Sequence, residues 1–575
     1  MEDRKTWFSG IRERRRTRAG EAALVAVALV LFYFLVRMSP VVARGAFGDD
    51  GIYVALGKAL ATGEGYRSIY AAGEPVHVKY PPGVPAIFAL LWLVGGDLPG
   101  FERLVSILNP LACGGAAGLV WWIGRSRLRL SAPVVFVFAV LPFGLEASIQ
   151  YLNLPISEPY FILVWLAGLA LYYQTSEARG TRADLRSVAL GVVFAASVLV
   201  RVQGIVLLPA VLLAMLIDRA PARRIGLFSL SASLPILGWW LWRHWLIIAG
   251  PISSQPDEAS YLSWVPWQQP LELIGFAKAA LMTNWTSYWR IIPAQLSGWR
   301  PLGLTLAISV LLLAALAGTL LLRRHPALVL TTLATAVVIA LWPYSQERFV
   351  LTILPCAGLL AAAGADHLLV QLKRNARVLA YALIGLVVIA VSLRQLEIRD
   401  YASPTARTAR TDQVTYPSRF LIANTAYLLA TARWVLENTD RTDRILFESP
   451  AGLYLYTGRT GVSSAPAESQ IATSVFKQPG GFLAARIQAD GIDILVLGGL
   501  DSPVAREIAV LQRRCPDLLS YAGKAEAGWP VFYRVTKPRG CAGDLASWRV
   551  GMPRRPGATP SRVGAAGQTR VSIGG

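Results

Sequence analysis

The residues best placed for chemistry come in a few short clusters. Asp49 and Asp50 stand side by side in GDDGIYVALGKALATGEGY, after an apolar run and ahead of a segment whose Tyr53, Leu56 and Leu60 share one face of a helix. Acids at a helix start act as N-caps, contributing about 1 kcal/mol. The same pair could supply a general base or hold a divalent metal, and the residues alone leave these readings open. Farther on, Lys79, Tyr80, Pro81 and Pro82 lead into an apolar segment. The prolines force an extended entry, which keeps Lys79 near the membrane interface, where it either meets a lipid phosphate or snorkels. Glu158, in Ser157-Glu158-Pro159, opens another apolar helix. It serves either the helix dipole or a functional cavity, since an acid at membrane depth is a candidate site residue. Arg201 interrupts an apolar stretch and Arg348 stands at the head of one; both read as phosphate ligands or as interface anchors.

The elements that position these groups are membrane helices. Of 575 residues, 54% are hydrophobic and 16% charged, with a mean hydropathy of +0.46, too little charge for a soluble chain of this length. Stretches such as AALVAVALVLFYFLV and GLTLAISVLLLAALAGTLLL carry no charge and are of bilayer-crossing length. The net charge of +21 does not point to nucleic acid, because the basic residues cluster at the ends of apolar segments, as orientation in a membrane requires.

Placing every basic turn on the inner side predicts about eleven spans, near 21–43, 103–124, 132–149, 159–174, a pair within 187–217 that meets at Arg201, 225–249, 302–322, 327–342, 349–366 and 377–393. The expected organisation is a basic cytoplasmic N-terminus (1–20), a helical membrane domain (21–394) with outer loops at 44–102 and 251–300, an outer α/β domain (395–547) and a disordered tail (548–575). The short segment 83–96 reads as a helix lying in the interface. Beyond residue 395, RILFES, LYLYTG, DILVLGG and VFYRVT read as strands, and FLIANTAYLLATARWVLENT, after Ser418, as an amphipathic helix. Of four cysteines, Cys113 and Cys356 fall in spans, while Cys515 and Cys541 fall in the outer domain and could pair. No Cys or His spacing matches a zinc site.

Four motifs in order carry a family resemblance: the Asp49-Asp50 pair after the first span with Pro81-Pro82 before a juxtamembrane helix, SEPYFILVWLAGLALYY at Ser157, RVQGIVLLP at Arg201, and PYSQERFVLTILPCAGLLAAAG at Pro343. Over residues 20–395 the chain resembles the GT-C glycosyltransferases, in particular the family 39 protein mannosyltransferases and the bacterial aminoarabinose transferases. It departs from the latter in having Tyr80 between Lys79 and the two prolines, and from eukaryotic protein mannosyltransferases in lacking extra repeats in the second outer loop.

The resemblance implies a polytopic α-helical enzyme in the cell membrane whose donor is a polyprenyl-phosphate sugar. Its acceptor hydroxyl, on a lipid, glycan or protein, attacks on the outer face with inversion at the anomeric carbon. It further implies Asp49 as the base, Asp50 as its support or a metal ligand, Glu158 in the same cavity, and Lys79, Tyr80, Arg201 and Arg348 around the donor phosphate. A multi-span transporter of a lipid or sugar, or a membrane sensor with an outer binding domain, are the alternatives. What separates them from a transferase is whether Asp49 and Glu158 share one cavity with Lys79 or Arg348.

Overall fold

A computed structural model describes residues 42–249 except 153, then 270–297, 300–342, 347–373, 416–463, 490–498, 503–525 and 530–536, with a few isolated positions besides. The first and last expected spans, the basic N-terminus and the tail lie outside these.

The membrane domain is a helical bundle. Among the described residues, four helices are long and apolar enough to cross a bilayer: Leu98–Arg127, Gly180–Val200, Ala222–Ile248 and Arg348–Val370. Shorter apolar helices Ala132–Gly144 and Pro326–Leu341 lie among them. The helix Ala222–Ala249 leaves Leu230, Leu234, Leu237 and Leu241 exposed, the pattern of a helix whose outer face meets lipid. Its inner side packs on Gly180–Val200, where Gly191 lets the two backbones approach: a Cβ there would stand 2.5 Å from the Phe228 carbonyl oxygen.

The segment 187–217 does break at Arg201. The helix Gly180–Val200 ends there in extended backbone (φ −153°, ψ 127°), a 3-10 turn Val202–Val206 follows, and Leu207–Ile217 resumes the helix. A continuous helix of this length would overrun the bilayer core; the break puts the guanidinium at the helix end.

In the first outer segment, the acids open the helix Asp49–Ala61, and 83–96 forms the helix Gly83–Gly95. The latter buries Val84, Phe88 and Ala89 and exposes Leu90, Leu93 and Val94, an apolar stripe turned outward as an interfacial helix needs. The segment 251–300 is more than a loop: it contains the 28-residue helix Pro270–Ser297. Its Glu272, Lys278 and Arg290, with several Thr, Asn and Ser residues, interrupt the apolar sequence, which is why it does not stand out as a helix by apolar run alone.

The C-terminal unit is a five-stranded sheet of order β2-β1-β3-β5-β4, with β1 Ile445–Phe447, β2 Gly461–Ser463, β3 Ile494–Leu497, β4 Leu519–Lys524 and β5 Val531–Val535. β2, β1 and β3 run parallel and β5 and β4 antiparallel. The buried BBBB pattern of β3 fits a strand covered on both faces. LYLYTG is not a strand: it lies in the helix Pro450–Thr457, started by Pro450 in the first turn and stopped by Gly458 in the left-handed region. Its alternation of Leu and Tyr mimics a strand, but the helix buries Leu453 and leaves both tyrosines at its edge. The helix Tyr416–Asn438 starts ahead of Ser418, so that serine lies in its first turn. Trp434 of this helix stacks flat on Phe532 of β5 at 3.8 Å, joining helix to sheet. Cys515 is disulfide-bonded, whereas Cys113 and Cys356 are free and buried; Cys541 lies outside the described residues.

Candidate active site

Three separate breaks in regular structure converge at one end of the bundle: the turn before Asp49, the run of bends before Glu158 and the kink at Arg201. A fourth element, the start of the helix Glu347–Val370, brings Arg348. Helix ends are where side chains and backbone groups are left for other partners, and here they leave two carboxylates facing two guanidiniums.

Arg348 joins the two acids. Its Nη2 contacts Asp49 Oδ2 at 2.5 Å and its Nε stands 3.6 Å from Glu158 Oε1. Arg201 Nη1 lies 2.9 Å from the same Glu158 oxygen and donates to Ser157 Oγ at 2.6 Å, while its Nε donates to Gln203 Oε1 at 2.8 Å. Phe349 lies between the two cations, 5.2 Å from each guanidinium carbon, and Phe47 covers Arg348 at 4.6 Å. Aromatic faces hold guanidinium planes flat without satisfying their N–H donors.

Burial divides these groups. The Glu158 side chain is 0% exposed and Arg348 5%, whereas Asp49 keeps 29% of its surface. Glu158 therefore acts as the fixed counter-ion of Arg201, with Arg348 also near it, and removing it would leave the buried Arg201 without a carboxylate partner, at a cost of about 3–5 kcal/mol. Asp49 is the member of the cluster that a ligand can reach.

Tyr80 supports that carboxylate: its hydroxyl donates to Asp49 Oδ1 at 2.7 Å. Its own backbone N–H donates to His77 Nε2 at 3.2 Å, and its carbonyl accepts from the Tyr66 hydroxyl at 2.9 Å. Accepting at Nε2 leaves the His77 proton on Nδ1, facing Ser68 Oγ at 3.1 Å. Burial, with the Lys79 charge, lowers the His77 pKa to about 3, so the ring is neutral. Lys79 stands 5.4 Å from the Tyr80 ring, its ammonium close enough to act on Asp49. Burial by itself pushes the Asp49 carboxyl up, but the charges of Arg348 and Lys79, with hydrogen bonds from Arg348 and Tyr80, outweigh it and hold the pKa at about 2.

Asp50 stands apart from this cluster. It is fully buried, and its two oxygens accept the N–H groups of Gly45 (2.6 Å) and Phe47 (3.2 Å). Burial pushes its pKa up to about 6, against the backbone N–H groups of Gly45 and Gly51 and the charge of Arg44. It therefore ties back the preceding turn, while Asp49 faces Arg348 and Tyr80. With Asp50 spent on the backbone, the pair does not fit a shared divalent metal. Among the described residues, no group of three or more His, Cys, Asp or Glu side chains is placed to hold one.

The structure thus brings Asp49, Tyr80, Glu158, Arg201 and Arg348 into one network, with Lys79 at its edge and Asp50 behind it. Sequence reasoning missed Phe47, Phe349, His77 and the Ser157–Arg201 contact. Phe349 follows Arg348 directly in the chain, so an aromatic beside a membrane-depth cation was the available signal for it, whereas Phe47, two residues before Asp49, carries no such mark.

A helical membrane bundle with broken helices converges on an acid–arginine cluster and is joined to a C-terminal α/β unit, and several solved structures share this fold. Among solved structures the chain is similar to ArnT from Cupriavidus metallidurans bound to undecaprenyl phosphate, at 13% identity and a TM-score of 0.52, covering 89% of this chain and 97% of that one. It is also similar to the oligosaccharyltransferase of Archaeoglobus fulgidus in its apo form, at 12% identity and a TM-score of 0.52, covering 90% of this chain and 74% of that one. The archaeal AglB in complex with an inhibitory peptide and a dolichol-phosphate matches at 12% identity and a TM-score of 0.50, covering 90% and 75%. No protein-family model and no curated protein sequence matches the chain.

Proposed function

We propose that this chain is a membrane glycosyltransferase that moves a sugar from a polyprenyl-phosphate donor to an acceptor hydroxyl on the outer face of the membrane, inverting the anomeric carbon. The observation that carries the reading is the contact of a partly open carboxylate, Asp49, with a buried arginine, Arg348: a proton acceptor and an anion site within one hydrogen bond of each other. Two solved structures of the same fold hold, by their descriptions, undecaprenyl phosphate and a dolichol-phosphate, and this supports a lipid phosphate as the anion.

In this reading the acceptor oxygen forms a bond to the anomeric carbon as the bond from that carbon to the phosphate oxygen breaks. Asp49 takes the acceptor proton, and polyprenyl phosphate leaves with the bonding pair. Charge grows on the phosphate as it departs, so cations already in position lower the barrier most. Arg348 and Lys79 are the nearest, and Arg201, bound to Glu158, keeps the cluster rigid. A carboxylate with a pKa of about 2 is a weak base in the free protein. Phosphate sharing Arg348 would relieve that depression, so the donor itself strengthens the base.

The orientation proposed is a cytoplasmic N-terminus and an extracytoplasmic C-terminal domain in the cell membrane. This follows from the basic turns such as Arg125–Arg129 and Arg219–Arg224, on the ends of the helices away from Asp49. The test of the function is direct: full-length protein in lipid nanodiscs, a panel of polyprenyl-phosphate sugars with lipid, glycan and peptide acceptors, and detection of released polyprenyl phosphate. Acceptor-dependent release with one donor supports the assignment; no release with any donor in the panel overturns it.

A further inference from the structure

The turn that carries Asp49 is held from behind by the C-terminal domain. Gly45 and Gly452 are in backbone contact: a Cβ on Gly452 would lie 2.8 Å from the Gly45 carbonyl oxygen and 2.9 Å from its Cα. A Cβ on Gly51, in the first turn of the Asp49–Ala61 helix, would lie 2.9 Å from the Gly452 nitrogen. One glycine of the outer domain is therefore wedged between the two ends of the turn.

Hydrogen bonds reinforce the wedge. Ser449 occupies the N-cap position of the Pro450–Thr457 helix but makes no side-chain cap bond to it. Its hydroxyl instead donates to the Gly45 carbonyl at 2.6 Å. Arg44 N–H donates to the Tyr456 hydroxyl at 2.8 Å, Ala43 N–H to Thr425 Oγ1 at 3.2 Å, and Asn424 Nδ2 to the Ala46 carbonyl at 3.0 Å. An N-cap hydroxyl is normally spent on its own helix, where it contributes about 1 kcal/mol. Here that local bond is forgone for one across the domain boundary.

The turn passes this constraint to the cluster by two short routes. Asp50 accepts the N–H groups of Gly45 and Phe47, fixing the loop against the helix start where Asp49 sits. Phe47, in the same turn, lies on the Arg348 guanidinium.

We propose that the C-terminal α/β domain sets the position of Asp49, with Gly452 and Ser449 as positioning residues for the turn 45–50. The inference rests on the reading of Asp49 as the base for its catalytic consequence, but the clamp itself does not depend on it. A methyl group on residue 452 needs about 3.5 Å from its neighbours, so Gly452→Ala displaces the turn by roughly 0.7 Å. Misplacing a catalytic group by about 1 Å costs on the order of 100-fold in rate.

Two measurements on full-length protein in nanodiscs test it. Hydrogen–deuterium exchange in the segment 43–51 is expected to speed up at least about tenfold in Gly452→Ala and in Ser449→Ala, to stay near wild type in Ser449→Thr, and to leave the helix Gly180–Val200 unchanged in all three. Turnover is expected to fall by about 10- to 100-fold in Gly452→Ala, with affinity for undecaprenyl phosphate within about threefold of wild type. A merely destabilised domain would instead speed exchange throughout β1, β3 and β5 and lower both quantities together, and that outcome overturns the proposal. Unchanged exchange in 43–51 overturns it equally. If wild type transfers no sugar, the enzyme reading fails while the exchange result still decides whether the clamp exists.

Discussion

Replacing Asp49 by Asn separates the two roles that meet at its carboxylate. The amide keeps the size of the side chain and can still accept from the Tyr80 hydroxyl, but it has no charge for Arg348 and cannot take a proton from an acceptor. Turnover should fall by about 100-fold or more, the usual worth of a general base. Binding should move the other way. The fall of the Asp49 pKa from its ordinary 3.8 to about 2 corresponds to about 2 kcal/mol favouring the carboxylate, at about 1.4 kcal/mol per tenfold. Burial works against that fall, so before screening by water the release of the cations could strengthen phosphate binding by a factor on the order of 30. Lys79 and Tyr80 supply part of the depression and the carboxylate keeps some contact with water, so a gain of about 3- to 10-fold is expected. The assay is titration of Asp49→Asn and wild type with undecaprenyl phosphate in nanodiscs, beside turnover on the donor that wild type uses. Tighter binding with lost turnover is the signature of a base that shares its arginine with the phosphate. Unchanged or weaker binding refutes the competition for Arg348, and turnover within about threefold of wild type refutes the base. The sign in pH follows from the same shift. The folded pKa lies below the unfolded one, so the stability from Asp49 is present above about pH 4 and is lost as pH falls toward 2; Asp49→Asn should remove that dependence.

Arg348→Ala should weaken undecaprenyl phosphate binding at least about tenfold, because it removes a charge-assisted contact, and titration beside Asp49→Asn checks that the two substitutions act in opposite directions. Asp50 has the reverse pH dependence. Its folded pKa of about 6 lies above the ordinary 3.8, so its contribution is greatest when protonated and declines as pH rises from about 4 through 6; melting curves over that range should show a loss in wild type that Asp50→Asn lacks. Reduction of the Cys515 disulfide should destabilise the outer domain by about 2–4 kcal/mol, read as a lower midpoint for that domain in denaturant with dithiothreitol. Reporter fusions at Lys373 and Ser418 should report opposite sides of the membrane, and the same side for both would contradict the proposed orientation.

Much of this molecule follows from its sequence because the determining physics is local. A series of charge-free runs of bilayer length bounded by arginines marks membrane helices, and the excess length of 187–217, with Arg201 inside it, marks the break there. The Asp49–Ala61 and Gly83–Gly95 helices were readable from their apolar spacing and from Pro81-Pro82. Where a local pattern had two physical causes, the sequence misled: the Leu-Tyr alternation of 453–456 suits a half-buried strand and equally a short helix wedged between two clusters, with Leu453 in one and Leu455 against the other. Three-dimensional packing alone decided which candidates cooperate. Asp49 and Asp50 look equivalent in the chain, yet one faces Arg348 and the other the backbone of Gly45 and Phe47, because successive residues in the first turn of a helix point about 100° apart. The pairing of Arg348 with Asp49 spans 299 positions, and the contact of Gly45 with Gly452 is equally remote. No local propensity encodes such contacts, since they exist only once helix ends and domain have been brought together by burial of the surfaces between them.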